Sequence, residues 1–236
     1  MTVKYYHNIK QRSDEWHSLR LGIITASEMN KVLTPTLKTA NNKETRSHFY
    51  DLAAQRITQY TEDHYVSYQM EQGMLLESDA RIAYDHHHAP VKECGFVTND
   101  ELGFTIGFSP DGLVGDDGFI ETKCRMAKFQ VQTILEHMNE QEPDTPIPGE
   151  FMLQCQTGLF VTQRKWCDFN SFSNGLNMAT IRVFPDVEYQ SAIKAAAISA
   201  EAKIVQLVSQ YNMTLAANPD NIHAVERVDY SEEISV

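Results

Sequence analysis

The 236-residue sequence contains no apolar run near the length of about 18 residues that a membrane-spanning helix needs. Its start, MTVKYYHNIKQRSDEW, lacks the hydrophobic segment of a secretory signal peptide. Cysteine is scarce, and no C-x-x-C pair occurs among Cys94, Cys124, Cys155 and Cys167. Neither a disulfide framework nor a zinc site is therefore indicated. We expect a soluble, cytoplasmic protein with reduced thiols and no membrane partner.

Linkers are also missing, because no segment rich in Pro, Gly or Ser divides the chain. With 42% hydrophobic residues, the chain can bury a large core, which predicts a single domain over residues 1–236. An acidic, loosely held tail is predicted from about residue 218. Acidic residues outnumber basic ones, so the net charge is −12. Residues 1–60 are the exception, with nine basic and five acidic side chains. Any positive face is therefore N-terminal, and the acidic excess elsewhere can restrict a polyanionic partner to a basic cleft. The alternative is that the acidic residues serve only solubility.

The segment Gly107–Arg125, GFSPDGLVGDDGFIETKCR, has the pattern of a β-hairpin. Strand-forming residues flank the turn-forming residues 116–118, so two short strands are predicted between Leu113 and Lys123. Folding the chain about this turn places Asp111 within about one residue of the position opposite Glu121, and cross-strand Cβ atoms lie about 5 Å apart. Two carboxylates are therefore predicted to converge.

Lys123 shares a strand face with Glu121, whereas the Thr122 side chain turns away and leaves its backbone carbonyl nearby. Carboxylate, carbonyl and water oxygens are the ligands that Mg²⁺ prefers, and phosphate commonly completes its shell. A phosphodiester is the predicted substrate, with Lys123 orienting or deprotonating the attacking water. The alternative is a solvated hairpin with a surface ion pair.

The segment Ser13–Leu33 predicts two short helices separated by Gly22. Thr25 or Ser27 begins the second helix. If Ser27 stands at that helix N-terminus, the free N–H groups and the hydroxyl form an anion site that Arg20 can complete. The alternative is an ordinary helix cap beside a surface arginine.

A helix over about Ser67–His87 places Glu77 on one face with the small residues Gly73 and Ala80. In that setting Glu77 can approach a metal as an additional ligand, although a lone helical glutamate is more often exposed. The run of three histidines at 86–88 predicts no zinc or nickel site, because three adjacent residues cannot all face one ion from a regular helix.

The remaining periodicity predicts further elements in both halves of the chain. The predicted helices are 44–62, Met126–Glu140, Glu150–Val161 and Asp186 to about Tyr211. The predicted strands are Gly95–Thr98, Leu102–Phe108, Cys167–Ser173 and Ala179–Phe184. The first two strands and the hairpin are expected to form one small, mainly antiparallel sheet, and loops are expected at 34–43 and 141–149.

Two glutamines stand on the helix predicted at Glu150–Val161, Gln154 and Gln156. Either amide can face the hairpin, where it can bridge a metal-bound water and a scissile phosphate. Glutamine is also a good helix former that usually lies on the surface.

Four segments in order resemble the phage lambda exonuclease family, the YqaJ-like viral recombinases of the PD-(D/E)XK nuclease superfamily. They are EWHSLRLGIITAS, GMLLESDAR, FSPDG with ETKC, and FMLQCQTGLFVT. The family core is often Glu-Leu-Lys-Cys-Pro, and Thr122 and Arg125 depart from it without removing a catalytic side chain. The resemblance implies an α/β fold, a restriction-endonuclease-like core with a small mixed sheet flanked by helices.

The resemblance also implies roles for individual residues. The implied metal ligands are Asp111, Glu121, the Thr122 carbonyl and, as an accessory ligand, Glu77. Lys123 is implied to activate the attacking water.

For binding of the 5′ phosphate, the resemblance implies Arg20 and Ser27. Gln156 is the preferred catalytic glutamine, because Gln156 to Phe160 is similar to the superfamily's Gln-x-x-x-aromatic pattern. Gln154 is kept as the alternative glutamine and as a DNA-binding residue.

By resemblance, the enzyme uses Mg²⁺, for which Mn²⁺ can substitute, with two ions per site. It degrades one strand of linear double-stranded DNA from the 5′ end and leaves a 3′ overhang for a single-strand annealing protein. The family forms ring-shaped homotrimers encoded by phages or prophages in bacterial cytoplasm. The alternatives are a superfamily endonuclease, a RecB-like nuclease, or a non-catalytic DNA-end-binding module. The scattered cysteines argue against the iron–sulfur cluster of the RecB-like group.

Overall fold

The structure, a computed structural model, describes residues 2–62, 68–138 and 147–228. The strands in these ranges are β1 (Val3–Tyr6), β2 (Ile24–Thr25), β3 (Val91–Lys92), β4 (Phe96–Asn99), β5 (Ile106–Phe108), β6 (Gly112–Val114), β7 (Gly118–Cys124), β8 (Trp166–Phe172) and β9 (Ala179–Val183). The helices are α1 (Asp14–Arg20), α2 (Lys43–Thr58), α3 (Tyr68–His87), α4 (Ala127–His137), α5 (Gly149–Thr162) and α6 (Val187–Ala217). A 3₁₀ helix, Ala26–Lys31, follows β2.

The described strands form two sheets. The first has the order β1-β4-β5-β2, in which β2 and β5 are parallel and the other pairs antiparallel. The second has the order β3-β6-β7-β8-β9, in which β7 and β8 are parallel and the other pairs antiparallel. The expected single sheet is therefore wrong, because β4 and β5 belong to one sheet and the hairpin to the other. The predicted mixed α/β architecture is confirmed.

Two aromatic rings join the sheets beneath the hairpin. Phe108 of β5 and Phe119 of β7 pack edge to face with their ring centroids 5.0 Å apart, and both are buried. A Cβ atom at Gly158 of α5 would lie 2.9 Å from each ring, so glycine allows α5 to approach both rings closely. This contact fixes which face of α5 meets β7.

Helix α3 is fixed to the second sheet by a buried hydrogen bond. The Tyr84 hydroxyl donates to Asp168 Oδ2 of β8 at 2.6 Å, and both side chains are almost fully buried. Arg182 of β9 donates to both oxygens of the same carboxylate at 2.8 Å. Because Asp168 is satisfied on both sides, α3 has a defined position, which in turn positions Glu77 two turns earlier.

Several predicted boundaries need correction. Helix α2 ends at Thr58 rather than 62, because Gln59 adopts a left-handed conformation with φ 54°. Helix α6 continues past Tyr211 to Ala217. The predicted strand Leu102–Phe108 is regular only over Ile106–Phe108.

Other predictions fall partly outside the described residues, namely the end of the helix at 139–140, the loop at 141–146 and the tail beyond 228. Residues 219–228 of the tail are exposed. Among the described helices, none combines the length and the apolar character needed to cross a membrane.

Candidate active site

The hairpin brings the two predicted carboxylates together. The register pairs Gly112 with Ile120, so Asp111 stands opposite Glu121, and the Asp111 N–H donates to the Ile120 carbonyl at 3.2 Å. The Asp111 carboxylate also accepts the backbone N–H of Thr122 at 2.5 Å. This geometry confirms the predicted hairpin, which forms because its turn residues and strand residues are adjacent in sequence.

Glu121 is the centre of a compact polar cluster with Lys123 and Gln154. Lys123 Nζ lies 2.7 Å from Glu121 Oε1, and Gln154 Nε2 donates to the same oxygen at 2.7 Å. Lys123 also donates to Gln154 Oε1 at 2.9 Å. The other carboxylate oxygen, Glu121 Oε2, is buried without a hydrogen-bond partner. An orphaned carboxylate oxygen in a buried site is suited to a cation.

Burial and the charge of neighbouring carboxylates raise the pKa of both carboxyl groups. Burial raises the pKa of Asp111 well above its ordinary value, and the charges of Glu121 and Glu77 raise it further. Burial likewise raises the pKa of Glu121, although Lys123 opposes that rise. A cation between the two carboxylates would relieve both effects, because it stabilises their ionised forms.

Lys123 is held in its charged form in this arrangement. Burial lowers its pKa, but the carboxylates of Glu121 and Asp111 together raise it by more, so the net shift is upward. The ammonium group is therefore a hydrogen-bond donor at neutral pH. Its contacts with Glu121 and Gln154 place the ammonium group at the hairpin.

The donor set fits a hard divalent cation with an open coordination shell. Asp111 and Glu121 supply carboxylate oxygens, and Mg²⁺ commonly takes one or two carboxylates together with waters and phosphate. In the described parts of the chain, no group of three His, Cys, Asp or Glu side chains is placed to hold a metal ion. A closed structural metal site is thus not formed by these side chains, whereas a magnesium site that retains waters requires only the pair.

Glu77, the predicted accessory ligand, is engaged elsewhere. Its Oε2 accepts a hydrogen bond from Arg12 Nη2 at 2.9 Å. Its charge still raises the pKa of Asp111 and of Glu121, so it acts electrostatically on both. Glu77 lies beside the carboxylate pair, in contact with a partner that the sequence did not suggest.

The structure places the side chain of Gln156, the preferred glutamine, away from the hairpin. The Gln156 amide donates to the Phe184 carbonyl at 2.8 Å, and its oxygen accepts from the Asp186 N–H at 3.0 Å. Residues two apart on a helix point in nearly opposite directions, so the face that presents Gln154 to β7 turns Gln156 toward the start of α6. Gln154 is the glutamine at the site, and Gln156 holds the connection between β9 and α6.

Arg20 and Ser27 are brought together, but not by the predicted helix N-terminus. The second helix is a 3₁₀ helix of six residues that follows Thr25, with no side-chain capping bond. Ser27 is exposed and lines a pocket of about 260 Å³ with Lys123 and Gln154. Thr25 Oγ1 lies 3.5 Å from Arg20 Nη2 and 3.3 Å from Ser27 Oγ. A phosphate at this pocket would meet the side chains of Ser27, Asn30 and Lys123 rather than a helix dipole, with Arg20 behind Ser27.

The Arg20 guanidinium stacks on Trp16, with Cζ 4.3 Å from the ring centroid. Burial lowers the pKa of Arg20, and the charge of Glu28 partly offsets that effect. Trp16 Nε1 in turn donates to Ser109 Oγ at 2.8 Å, which ties α1 to the loop before Asp111. The Trp16–Ser109 contact was missed by sequence reasoning, because no local pattern links residues 93 positions apart.

Arg12 is a second residue that sequence reasoning missed. Its backbone has φ 69°, a left-handed conformation uncommon for residues other than glycine. The preceding Gln11 donates from Nε2 to the carbonyl oxygens of Pro110 at 2.9 Å and Cys94 at 3.3 Å. Arg12 is thus anchored beside Asp111, and no periodic signal in the sequence marks it.

Comparison with known proteins places this site in a family. The model of the YqaJ-like viral recombinase domain matches residues 15–165. The alkaline exonuclease LHK-Exo from Laribacter hongkongensis has a similar structure, with TM-score 0.73 and 28% identity over 87% of this chain and 99% of that chain. A structure of LHK-Exo in complex with dAMP gives the same values. A phage-related exonuclease from Haemophilus somnus 129PT, 14% identical over 82% of this chain and 98% of that chain, shares the fold with TM-score 0.56.

No curated protein sequence matches this chain significantly. The match of the family model nevertheless spans more than half of the chain and includes the hairpin with Asp111, Glu121 and Lys123. The structural matches confirm the predicted α/β fold with a PD-(D/E)XK-like core. The chain therefore belongs to the YqaJ-like viral recombinase family, as the four sequence segments predicted.

Proposed function

We propose that this chain is a magnesium-dependent exonuclease. It degrades one strand of linear double-stranded DNA from the 5′ end and leaves a 3′ single-stranded overhang. The observation that carries the proposal is the buried cluster of Glu121, Lys123 and Gln154 facing Asp111, with one carboxylate oxygen unpartnered. The family and the likeness to an enzyme named as an alkaline exonuclease support DNA as the substrate.

In this proposal, Asp111, Glu121 and the Thr122 carbonyl hold Mg²⁺, with Mn²⁺ as a substitute and room for a second ion. When bound, the metal polarises the scissile phosphate and lowers the pKa of a water molecule. Lys123 donates hydrogen bonds that orient the attacking water against the phosphate. Gln154 contacts both Lys123 and Glu121, so it keeps their polar atoms aligned.

We assign the 5′ phosphate to the pocket beside Ser27. The Ser27 hydroxyl offers a hydrogen bond to a terminal phosphate. The Arg20 guanidinium lies behind it, next to Thr25, whose hydroxyl donates to Glu28. The same pocket is lined by Lys123 and Gln154, so a nucleotide bound there lies next to the hairpin. Recognition of the phosphate and cleavage of the first phosphodiester are thereby linked in space.

We also propose a single nuclease domain, since one hydrophobic core includes residues from Ile24 to Ile204. The family resemblance leads us to propose a ring-shaped homotrimer and a single-strand annealing partner. A ring would enclose the DNA and so confer processivity without base-specific contacts.

The proposed function is tested with equal amounts of linear and covalently closed circular duplex DNA, in Mg²⁺ or EDTA. The linear DNA carries either a 5′ phosphate or a 5′ hydroxyl. We expect digestion of linear DNA only, dependence on Mg²⁺, and faster digestion of the phosphorylated ends. Cleavage of circular DNA would instead indicate an endonuclease, and binding without cleavage in any condition would indicate a DNA-end-binding module.

Arg20→Gln should remove the preference for the 5′ phosphate. We expect the digestion rate of phosphorylated DNA to fall by about 10- to 100-fold, as the loss of a charge-assisted hydrogen bond implies. The rate on 5′-hydroxyl DNA should change much less. The matched control is Arg46→Gln, since Arg46 is exposed on α2. An equal loss on both kinds of end would contradict the phosphate assignment.

The two glutamines should differ in what they affect. Gln154→Ala should lower the single-turnover cleavage rate by about 10- to 100-fold with little change in stability, because it leaves Lys123 without its orienting contact. Gln156→Ala should lower the free energy of unfolding by about 1–3 kcal/mol, because two part-buried backbone groups, the Phe184 carbonyl and the Asp186 N–H, lose their partner. Denaturant unfolding and single-turnover cleavage separate the effects. The reverse result would restore Gln156 as the catalytic glutamine.

A further inference from the structure

An open groove of about 440 Å³ lies beside Asp111. Its lining is mixed in charge: His7, Lys10, Arg12 and Arg81 stand beside the carboxylates of Glu77, Glu93 and Asp111. Arg81 is paired with Glu93 at 2.9 Å. Asp111 forms part of the groove wall, so the groove adjoins the carboxylate pair. The net charge of the whole chain is −12. Arg12 is half exposed in this groove, so a nucleic-acid strand next to the phosphodiesterase site can reach its guanidinium.

Contacts of the neighbouring residues hold the backbone at Arg12 beside this groove. The Gln11 side chain bonds to the carbonyl of Pro110, the residue before Asp111, and Ser13 N–H bonds to the Lys10 carbonyl at 3.2 Å. These contacts hold the left-handed turn at Arg12 against the site. The guanidinium is thereby kept within the groove rather than free on a mobile segment.

The ion-pair partner of Arg12 is Glu77, a carboxylate that a cation in the active site would attract. Arg12 and Glu77 form an ion pair of 2.9 Å, and their side chains are 51% and 23% exposed. Exposed ion pairs contribute little, so either partner can be exchanged for a stronger one. Glu77 already interacts with Asp111 and Glu121, where its negative charge opposes theirs.

We propose that Arg12 binds a phosphate of the DNA strand beside the cleavage site. Before a divalent cation binds, Arg12 is instead paired with Glu77. A cation held by Asp111 and Glu121 attracts the Glu77 carboxylate and releases the guanidinium. Arg12 then pairs with phosphate, for which a guanidinium is well matched in shape and charge. This exchange rests on the cation site of the proposed function but not on cleavage itself, and it couples cation binding to DNA binding.

A double-mutant cycle on DNA affinity tests the exchange without cleavage. The proteins are the wild type, Arg12→Gln, Glu77→Gln and the double variant, and the readout is fluorescence anisotropy of a labelled linear duplex in EDTA. We expect Glu77→Gln to tighten the Kd by about fivefold when Arg12 is present, because Arg12 is released. We expect no such gain in the background of Arg12→Gln.

The same binding assay in Ca²⁺, a hard cation with the same kind of oxygen ligands, tests the second half of the exchange. In Ca²⁺, Glu77→Gln should no longer tighten binding, and Arg12→Gln should weaken it by about fivefold. Arg12→Gln should also reduce the slope of log K against log salt by about 0.9, as expected for one lost phosphate contact.

The matched control is the exposed ion pair Lys165–Asp117, 3.0 Å long, at the turn end of the hairpin. Its single and double variants should show no coupling in DNA affinity. If Glu77→Gln tightens binding equally with and without Arg12, Glu77 acts only through its charge and the exchange is overturned. An unchanged Kd and salt slope for Arg12→Gln in Ca²⁺ would overturn the phosphate contact.

Cleavage of linear DNA by the wild type in Mg²⁺ decides separately on the proposed function. Cleavage without coupling between Arg12 and Glu77 overturns the exchange and leaves the nuclease intact. Coupling without cleavage supports the exchange and overturns the nuclease.

Discussion

Asp111→Asn should stabilise the metal-free protein while it abolishes cleavage. The substitution removes one of two facing carboxylates, and an amide oxygen can still accept the Thr122 N–H. We expect the free energy of unfolding in EDTA to rise by about 1 kcal/mol, because the pKa of Asp111 is raised in the folded state. Loss of a metal ligand should lower the single-turnover cleavage rate in Mg²⁺ by about 10³-fold or more. Denaturant unfolding and quenched-flow cleavage measure the two effects.

The stability gain should also depend on pH. A carboxyl group with a raised folded-state pKa binds its proton more tightly in the native protein, so its ionisation lowers stability as pH rises. The gain from Asp111→Asn should therefore shrink as pH falls below the folded-state pKa of Asp111. The control is Asp117→Asn, because Asp117 is half exposed in the hairpin turn. A metal-free Asp111→Asn protein less stable than the wild type at neutral pH would contradict the repulsion between the carboxylates.

Lys123→Met should give the second large effect. Methionine preserves much of the buried aliphatic stem but removes the ammonium that contacts Glu121 and Gln154. We expect the single-turnover cleavage rate in saturating Mg²⁺ to fall by about 10²- to 10⁴-fold, the range for loss of a positioned proton-handling or orienting group. Binding of duplex DNA in Ca²⁺ should weaken much less.

The matched control for this variant is Lys165→Met. Lys165 is also a hairpin-associated lysine paired with a carboxylate, but its side chain is 72% exposed and it lies at the turn end. Its cleavage rate should stay within about twofold of the wild type, as for most exposed ion pairs. Equal losses for Lys123→Met and Lys165→Met would show that lysine charge in general, rather than the position of Lys123, supports the reaction.

The hairpin was predictable because residues close together in sequence determine its turn and its strands. The turn residues 116–118 fix where the chain reverses, and the two-residue alternation then fixes which side chains share a face. Asp111, Glu121 and Lys123 follow from those two facts alone. The same locality explains why α3 and the later strands were placed nearly correctly.

Which of Gln154 and Gln156 faces the hairpin could not be predicted from neighbouring residues in the sequence. It depends on the rotation of α5, which is set by the approach of Gly158 to Phe108 and Phe119 from two different sheets. No periodicity within α5 contains that information, because both glutamines lie among apolar residues. The sequence pattern Gln-x-x-x-aromatic therefore selected the residue that binds Phe184 and Asp186 instead.

The division into two sheets was also beyond local reasoning. Strand β1 pairs with β4 more than 90 residues later, and β3 pairs with the edge of the hairpin. Short strands of two to four residues acquire their stability from such distant partners, so their own composition predicts them poorly. The place of Arg12 beside Asp111 depends on the same long-range contacts.

The central claim is that the buried carboxylate pair holds the cation that cleaves DNA. It is tested most directly by the single-turnover rate on 5′-phosphorylated linear duplex across a Mg²⁺ titration, for the wild type and for Glu121→Gln. We expect the wild-type rate to be zero in EDTA and to saturate with Mg²⁺, and Glu121→Gln to show no cleavage at any Mg²⁺ concentration with its circular dichroism unchanged. Cleavage by the wild type in EDTA, or a wild-type rate for folded Glu121→Gln, would contradict the claim.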